Sequence, residues 1–436
     1  MYSACVVSLF LLLTLFYTLI AALDYPIVDT DQQNSYDACC EITAPSEGAS
    51  YYGQDSQYSG HNPCYEDNGD GTVTDIVTGL MWTQDPGSRV NWAQAVANLV
   101  DLNDEGFAGY NDWRVPTTKE LYSLILFSGD DPSTDMTATD GTPFIDRDYF
   151  DFEYGSQPWR NIDAQYITST IYTGKIMFNA TGFMGVNFAD GRIKGYERDS
   201  ANEQFFVHYV RGNEDYGENV FSVEGDLISD ASTGLTWMKN DSGSGMFWGD
   251  ALDYCEDLEY EGYSDWRLPN AKELQSIVDY TRSPDKTDSA SINALFLATK
   301  ITNEAGEDDF PWYWTSTTHK AYQATSNSPP GGFAVYVSFG RSLGNFLGDG
   351  NWIDVHGAGC QRSDPKDGDP NEYADGHGPQ GDAIRIYNYV RCVRGGSEST
   401  CDAEENSDST DNIESKARTT RPWPGIFLFV IPYFLF

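Results

Sequence analysis

A thirteen-residue phrase occurs twice in this chain, and it constrains the fold more than any other feature. GYNDWRVPTTKEL begins at Gly109, and GYSDWRLPNAKEL begins at Gly262. Further segments recur around it in the same order: 74–82 with 229–237, 91–102 with 247–258, 166–170 with 313–317, Phe188 with Phe339, and Tyr-Val-Arg at 209–211 with 389–391. The chain therefore contains two copies of one domain, at about 61–213 and 219–397, and each is long enough to bury a core.

The repeated segments predict two helices in each copy. Apolar residues recur at helical spacing on one face of the first helix: Trp92, Ala95, Val96 and Leu99 in copy one, and Trp248, Ala251, Leu252 and Cys255 in copy two. The repeated phrase begins the second helix. Its N-caps are Thr117 and Asn270, and a glutamate three residues later, Glu120 or Glu273, completes a capping box.

We expect the repeated phrase to be a structural corner, and a ligand contact is the alternative. Four tryptophans are predicted as core anchors: Trp82, Trp113, Trp237 and Trp266. We expect Arg114 to pair with Asp112 and Arg267 to pair with Asp265, so that strands and loops are tied together. The remaining repeated segments are short and rich in aromatic and β-branched residues, which favours strands.

The net charge of −41, from 26 basic and 67 acidic residues, limits the partners. Such a surface repels nucleic acid and anionic lipid, and sulfated polysaccharides are disfavoured for the same reason. Neutral glycans, cations and basic extracellular proteins are easier partners. The alternative is that the acidic surface only keeps the protein in solution.

Both ends of the chain suggest export. Residues 1–22 resemble a cleaved secretory signal peptide, although no Lys or Arg precedes the apolar run, so an uncleaved signal anchor stays open. Residues 398–424 form an acidic spacer, and the apolar tail 425–436 is too short to span ~30 Å of hydrocarbon. This arrangement is typical of a glycosylphosphatidylinositol signal. We expect a secreted protein or one at the outer face of the plasma membrane.

One disulfide can be predicted by comparing the copies. Cys255 aligns with Leu99 and Cys392 with Gly212, so copy two has both cysteines and copy one has neither. This joint presence predicts a Cys255–Cys392 bond. The pairing of the other mature cysteines stays open: Cys39, Cys40, Cys64, Cys360 and Cys401. Asn179 and Asn240 lie in glycosylation sequons, which also fits an exported chain.

The residues show little sign of catalytic chemistry, and calcium is the one metal that they favour. Oxygen ligands suited to calcium occur in the DNGDG turn and in the longer loop of copy two: Asp67, Asp70, Asp349, Asp364, Asp367 and Asp369. The same loop supplies three candidate ligand-binding residues: Trp352, Asp354 and Tyr373. The alternatives are an ordinary turn before a strand and a surface insertion without a ligand. We expect no enzymatic activity.

In these repeated segments the chain resembles the Lcl C-terminal domain family. TGLMW, GYNDWRVPTTKEL and YVR support the resemblance in copy one, and TGLTW, GYSDWRLPNAKEL, YWTST and YVRCVR in copy two. It implies two tandem α+β domains similar to the C-type lectin and formylglycine-generating-enzyme folds. In that fold a link from the first helix to the last strand is typical, which agrees with Cys255–Cys392.

The resemblance also implies recognition or adhesion, because the family's founding member resembles an adhesin for sulfated polysaccharides. This chain lacks the basic surface that such ligands need. We therefore expect an extracellular recognition protein that binds glycan or protein, with calcium as a candidate cofactor. The alternatives are a wall or matrix protein without a soluble ligand and an enzyme of the formylglycine-generating type.

Overall fold

A computed structural model describes residues 24–134, 141–323 and 329–396. The predicted signal peptide, acidic spacer, apolar tail and Cys401 lie outside these residues. Within them, no helix combines the length and the apolar character needed to cross a membrane. Residues 24–396 belong to one compact unit.

The described chain consists mostly of small antiparallel sheets with five helices, which is consistent with an α+β or a mainly-β class. It begins with the hairpin β1 (Ser35–Tyr36) and β2 (Glu41–Ile42). Copy one contains β3 (Tyr65–Asp67), β4 (Thr72–Asp75), β5 (Leu80–Thr83), α1 (Trp92–Glu105), α2 (Thr118–Tyr122), β6 (Gln165–Tyr166), β7 (Gly182–Asn187), β8 (Arg192–Glu197) and β9 (Val210–Gly212).

Copy two repeats this order and adds several elements. It contains β10 (Phe221–Glu224), β11 (Leu227–Asp230), β12 (Leu235–Met238), α3 (Trp248–Glu256), α4 (Ala271–Ser276), α5 (Pro284–Thr287), β13 (Ile301–Thr302), β14 (Asp308–Asp309), β15 (Trp312–Thr318), β16 (Phe333–Ser338), β17 (Leu343–Gly344), β18 (Ile353–Asp354), β19 (Gln361–Pro365) and β20 (Val393–Gly395).

Each copy has its own four-stranded sheet, and the two share a six-stranded one. The separate sheets have the orders β3-β4-β5-β9 and β10-β11-β12-β20. The shared sheet has the order β15-β16-β19-β8-β7-β6. Three strands from each copy therefore meet edge to edge at β8 and β19, which removes one exposed edge from each copy.

The two copies are related by a local two-fold axis at this seam. Ile193 pairs with Val186 in copy one, and Gln361 pairs with the equivalent Val337 in copy two. Ile193 and Gln361 thus occupy equivalent positions, and they pair with each other. Pairing of equivalent residues is the geometry of an isologous interface. A hydrophobic cluster crosses the seam as well, since it contains Leu121 of copy one and Val335 of copy two.

The register of the last strands corrects the sequence alignment by three residues. Trp82 pairs with Val210, and the equivalent Trp237 pairs with Val393. Tyr209-Val-Arg therefore corresponds to Cys392-Val-Arg, and the alignment with Tyr389-Val-Arg is wrong. The reason is that YVRCVR contains the Val-Arg pair twice, and only the strand register distinguishes them.

The repeated phrase forms the predicted capped helices. The side chains of Thr117 and Asn270 accept hydrogen bonds from the N–H groups of Glu120 and Glu273, and both capping boxes are complete. Apolar residues in these helices and just after them are buried: Leu121, Leu124 and Ile125 in copy one, and Leu274, Ile277 and Val278 in copy two. Both helices therefore begin where the local sequence predicts.

The predicted pairing of the arginines in this phrase was wrong. Arg267 forms two hydrogen bonds of 2.6 Å with Glu273, which also caps α4. Asp265 pairs instead with Arg394 of β20, at 2.7 and 2.9 Å. Copy one has the same arrangement, in which Arg114 pairs with Glu120 and Asp112 with Arg211. The four predicted core tryptophans, Trp82, Trp113, Trp237 and Trp266, are buried.

The N-terminal segment packs on copy two and makes the copies unequal. Tyr51 contacts the ring of Trp248, and the Tyr58 hydroxyl donates a 2.6 Å hydrogen bond to Glu256. This segment covers α3, where Leu252 is fully buried. The equivalent Val96 of α1 is exposed, contrary to the predicted helix face.

Cys255 and Cys392 form a disulfide with an S–S distance of 2.11 Å. It connects α3 to the residue before β20, although the three-residue correction places Cys392 opposite Tyr209 and not Gly212. Cys39 and Cys40 are bonded to each other, and Cys64 is also disulfide-bonded. Cys360 is a buried free thiol, and burial raises its pKa to about 11.

Candidate functional site

The long loop of copy two, which we expected to hold the ligand site, is two insertions separated by β19. Residues 188–191 join β7 to β8, whereas residues 339–360 join the equivalent β16 to β19. Residues 198–209 precede β9, whereas residues 366–392 precede β20. The two insertions contact each other, since Gly344 forms a β-bridge with Asp382 and the His356 ring hydrogen-bonds the Asp382 carboxylate at 2.8 Å.

The first insertion packs on copy one. Asp354, a predicted ligand-binding residue, accepts a 3.0 Å hydrogen bond from the Tyr172 hydroxyl. The backbone of His356 accepts a 2.8 Å hydrogen bond from Gly195. Burial raises the pKa of Asp354 to about 7. This carboxyl group therefore contributes to the contact between the copies.

The other two predicted ligand-binding residues lie apart from the groove described below. Trp352 is partly buried against the hydrophobic cluster that contains Trp266 and Trp312. Tyr373 ends a short 3-10 helix, Pro370–Tyr373, and its ring meets His377 edge-on at 6.0 Å. Neither lines that groove.

The predicted calcium ligands are not brought together in the described chain. Asp67 accepts from Gly69 and Asp70 from Thr72, which is ordinary turn geometry. Asp364 is fully buried, and burial raises its pKa to about 6. The others, Asp349, Asp367 and Asp369, are exposed. Within the described ranges, the one set of three acidic or sulfur ligands within reach of a single ion is Asp37, Cys39 and Cys40.

A groove of about 450 Å³ lies where the second insertion meets the β13–β14 hairpin. Its lining combines aromatic rings with polar side chains: Thr302, Glu304, Pro311, Trp312, Pro370, Arg385, Tyr387, Asn388 and Tyr389, with Ile301 and Ile384. We call it the tyrosine groove. Tyr387 is 43% exposed, and its ring packs on that of Phe247 with the ring centroids 4.5 Å apart.

An ion pair fixes the polar wall of the tyrosine groove. Arg385 donates to both carboxylate oxygens of Glu304, at 2.9 and 3.0 Å, and its guanidinium lies 3.9 Å from the ring centre of Trp312. Burial alone would raise the pKa of Glu304, but Arg385 lowers it. The pair is therefore charged and held in a planar, bidentate geometry.

Backbone strain occurs at the same place. Ile386 has a φ of 60°, in the left-handed region that β-branched residues rarely adopt. Its neighbours Arg385 and Tyr387 both line the groove. Beneath them Asp364 accepts hydrogen bonds from the Asn388 side chain and the Arg385 backbone, at 2.9 and 3.2 Å. Strain of this kind concentrates at functional sites, where the surrounding structure holds it.

The tyrosine groove is a feature of copy two. The corrected register places Gln204, Phe205 and Phe206 of copy one opposite Tyr387, Asn388 and Tyr389. Phe205 and Phe206 are buried. The groove was not predicted, because the strongest ligand pattern in this insertion is its run of aspartates. The one local signal was the aromatic and polar run Arg385-Ile-Tyr-Asn-Tyr389.

The two sequons differ in exposure. Asn179 is exposed and has a φ of 70°, next to the exposed ring of Phe178. Asn240 is partly buried, and its side chain approaches the Tyr260 hydroxyl at 3.5 Å. Asn179 is therefore the more accessible acceptor.

The model of the Lcl C-terminal domain matches residues 71–211 and 226–350, which together are more than half of the chain. The chain belongs to the Lcl C-terminal domain family. One matched segment lies within each copy, which establishes the tandem arrangement. The second match ends before residues 384–389, so part of the tyrosine groove lies outside the matched residues. No curated protein and no solved structure matches this Lcl C-terminal domain protein.

Proposed function

We propose that this protein is an extracellular recognition or adhesion protein that binds a neutral glycan in the tyrosine groove. The observation that supports this most directly is the exposed Tyr387 ring beside the planar Arg385–Glu304 pair. An aromatic ring packs on the apolar face of a sugar, and fixed planar donors and acceptors bind its hydroxyl groups.

The charge of the tyrosine groove favours a neutral ligand. Its two charged residues, Arg385 and Glu304, neutralise each other. The surrounding protein carries a net charge of −41, which opposes the approach of polyanions. A neutral oligosaccharide is attracted by stacking and hydrogen bonds, which do not depend on long-range charge.

We propose that binding does not require calcium, because the one carboxylate in the groove lining is paired with Arg385. The C-type-lectin-like fold of each copy, secretion or surface anchoring, and glycosylation at Asn179 and Asn240 remain part of this proposal. A wall or matrix protein without a soluble ligand is the competing function.

The test is binding of the secreted chain to an array of neutral and acidic glycans, with calcium and with chelator. Tyr387→Ala should remove the neutral hits, because it deletes the exposed ring. Tyr263→Ala is the matched control, since Tyr263 is 41% exposed and lies outside the groove. It should bind as the wild type does. Equal loss in both variants, or no hits for the wild type, would reject the groove and favour the matrix function.

A further inference from the structure

The two most exposed large apolar side chains of the described residues lie on segments that meet between the copies. Phe178 of copy one is 68% exposed, and Leu347, in the first insertion of copy two, is 66% exposed. The Phe178 ring meets the Phe346 ring edge-on, with the ring centroids 5.6 Å apart. We call Phe178, Phe346 and Leu347 the apolar patch. Single exposed apolar residues are ordinary, but a cluster of them marks a surface that another group contacts.

The ring that copy one contributes to the apolar patch lies on a tight turn. Backbone hydrogen bonds of 3.1 and 2.9 Å between Ile176 and Ala180 close this turn. Within it, Met177 and Asn179 have φ values of 48° and 70°. The Met177 N–H also donates a 2.7 Å hydrogen bond to the carbonyl of Asp354 in copy two. An exposed ring and an exposed glycosylation acceptor are therefore neighbours on a turn that is held against the other copy.

In copy two the N-terminal segment covers the equivalent turn. The registers of β7 and β16 place Gly331 opposite Ala180. The Gly331 N–H donates a 3.1 Å hydrogen bond to the carbonyl of Cys39, and a Cβ atom at Gly331 would lie 2.9 Å from that of Tyr36. In copy one the turn is exposed and carries Asn179 as an acceptor. A glycan on copy one would occupy the position that protein occupies on copy two.

A glycan attached beside the apolar patch fits it better than a second protein does. The patch consists of three side chains, far short of the about 800 Å² that each partner buries in a typical protein interface. A second copy of this chain also has a net charge of −41, which opposes self-association. A glycan on the adjacent residue loses little freedom on packing, because its attachment already holds it near the ring.

We propose that the first N-acetylglucosamine of a glycan on Asn179 packs its apolar face on the Phe178 ring and stabilises the contact between the copies. An exposed aromatic ring offers the apolar surface for this packing. The transfer forms a bond from Nδ2 of Asn179 to the anomeric carbon of a lipid-linked oligosaccharide. The bond from that carbon to the pyrophosphate carrier breaks, and one amide proton is released. This inference rests on the export and glycosylation of the proposed function and is independent of the tyrosine groove.

The test is hydrogen exchange of residues 172–181, measured by mass spectrometry on the chain secreted from a eukaryotic culture. Asn240→Gln leaves Asn179 as the one sequon. An endoglycosidase trims the glycan to its first sugar, and either complete enzymatic removal or Thr181→Ala gives the unglycosylated chain. Exchange in the trimmed form should be about fivefold slower, because the sugar must leave the ring before the turn opens.

Phe178→Ala should abolish this difference, because it deletes the ring and keeps the sequon. Leu297→Ala is the matched control and should keep the difference, since Leu297 is 52% exposed and lies outside the apolar patch. Equal exchange in the trimmed and unglycosylated forms, or the same protection in Phe178→Ala, would overturn this inference alone. An intact mass that shows Asn179 unoccupied would overturn it together with the glycosylation part of the proposed function. Glycan binding through Tyr387 is measured separately and is decided by neither outcome.

Discussion

The hydroxyl of Tyr209 donates a 2.8 Å hydrogen bond to the backbone carbonyl of Ala95, and so joins the end of copy one to its first helix. Cys392 occupies the equivalent position in copy two and bonds to Cys255 of α3. The two copies therefore make the same connection with different chemistry. A hydrogen bond in copy one corresponds to a covalent bond in copy two.

Removing the two connections should have unequal effects. The Cys255→Ala/Cys392→Ala variant should lose about 2–5 kcal/mol of unfolding free energy, because the bond closes a long loop. Tyr209→Phe should lose about 1 kcal/mol, the usual contribution of one hydrogen bond. Denaturant unfolding followed by fluorescence measures both. Equal losses would contradict the conclusion that copy one has only a hydrogen bond where copy two has a covalent bond.

The capping glutamates should matter more than the neighbouring aspartates. Glu273→Gln leaves Arg267 without its charged partner in a nearly buried site, and we expect a loss of about 3–5 kcal/mol. Asp265→Asn breaks the exposed pair with Arg394 and should lose at most about 1 kcal/mol. Thermal unfolding of both variants tests the difference. A larger loss of stability in Asp265→Asn than in Glu273→Gln would contradict the role assigned to the Arg267–Glu273 pair.

The two copies should remain associated after the chain between them is cut. A protease site inserted between Glu214 and Asp215, both exposed, allows the cleavage. Cys64→Ser should be present, so that no disulfide of Cys64 holds the halves together. We expect co-elution in size-exclusion chromatography, because the β8–β19 seam and the shared cluster stay buried. Separation of the halves would show that the linker holds them together.

Stability should depend on pH through Asp55. Burial, reinforced by Asp29, raises its pKa in the folded chain to about 7, whereas an unfolded aspartate has a pKa near 3.9. Between these values the folded state binds a proton that the unfolded state does not. This contribution favours folding at low pH and is lost as the pH rises through about 7.

Asp55→Asn should therefore reduce the loss of unfolding free energy between pH 5 and pH 8 by about 2–3 kcal/mol. Asp70→Asn, at an exposed turn, is the control and should keep the wild-type slope. Urea unfolding at both pH values measures the slopes. An unchanged slope in Asp55→Asn would show that Asp55 is ionised throughout.

The elements that could be predicted are those with local causes. The caps at Thr117 and Asn270 and the buried faces of α2 and α4 depend on residues within one or two helical turns. The buried tryptophans follow from their size and repetition. The predicted arginine pairs are wrong because Asp112 and Asp265 pair with Arg211 and Arg394. These arginines lie on strands far along the chain, so the local sequence does not identify them.

The proposed groove lies partly in the insertion in which the sequence predicted a site, and residues other than the predicted ones line it. The insertion was visible as extra length in copy two, but its division by β19 was not. Asp354 was predicted to bind a ligand, and its carboxylate accepts a hydrogen bond from the Tyr172 hydroxyl. Tyr387 and Arg385 became neighbours of Trp312 and Glu304 only through folding.

The sequence by itself determined that the chain is a duplication, that a capped helix follows Thr117 and Asn270, and that copy two alone contains the matched cysteines Cys255 and Cys392. These follow from order and short spacing, which a linear sequence contains. Only the tertiary structure decided that Ile193 pairs with Gln361, that distant residues line the tyrosine groove, and that the N-terminal segment packs on α3. Those contacts join distant segments, and they depend on how whole surfaces pack.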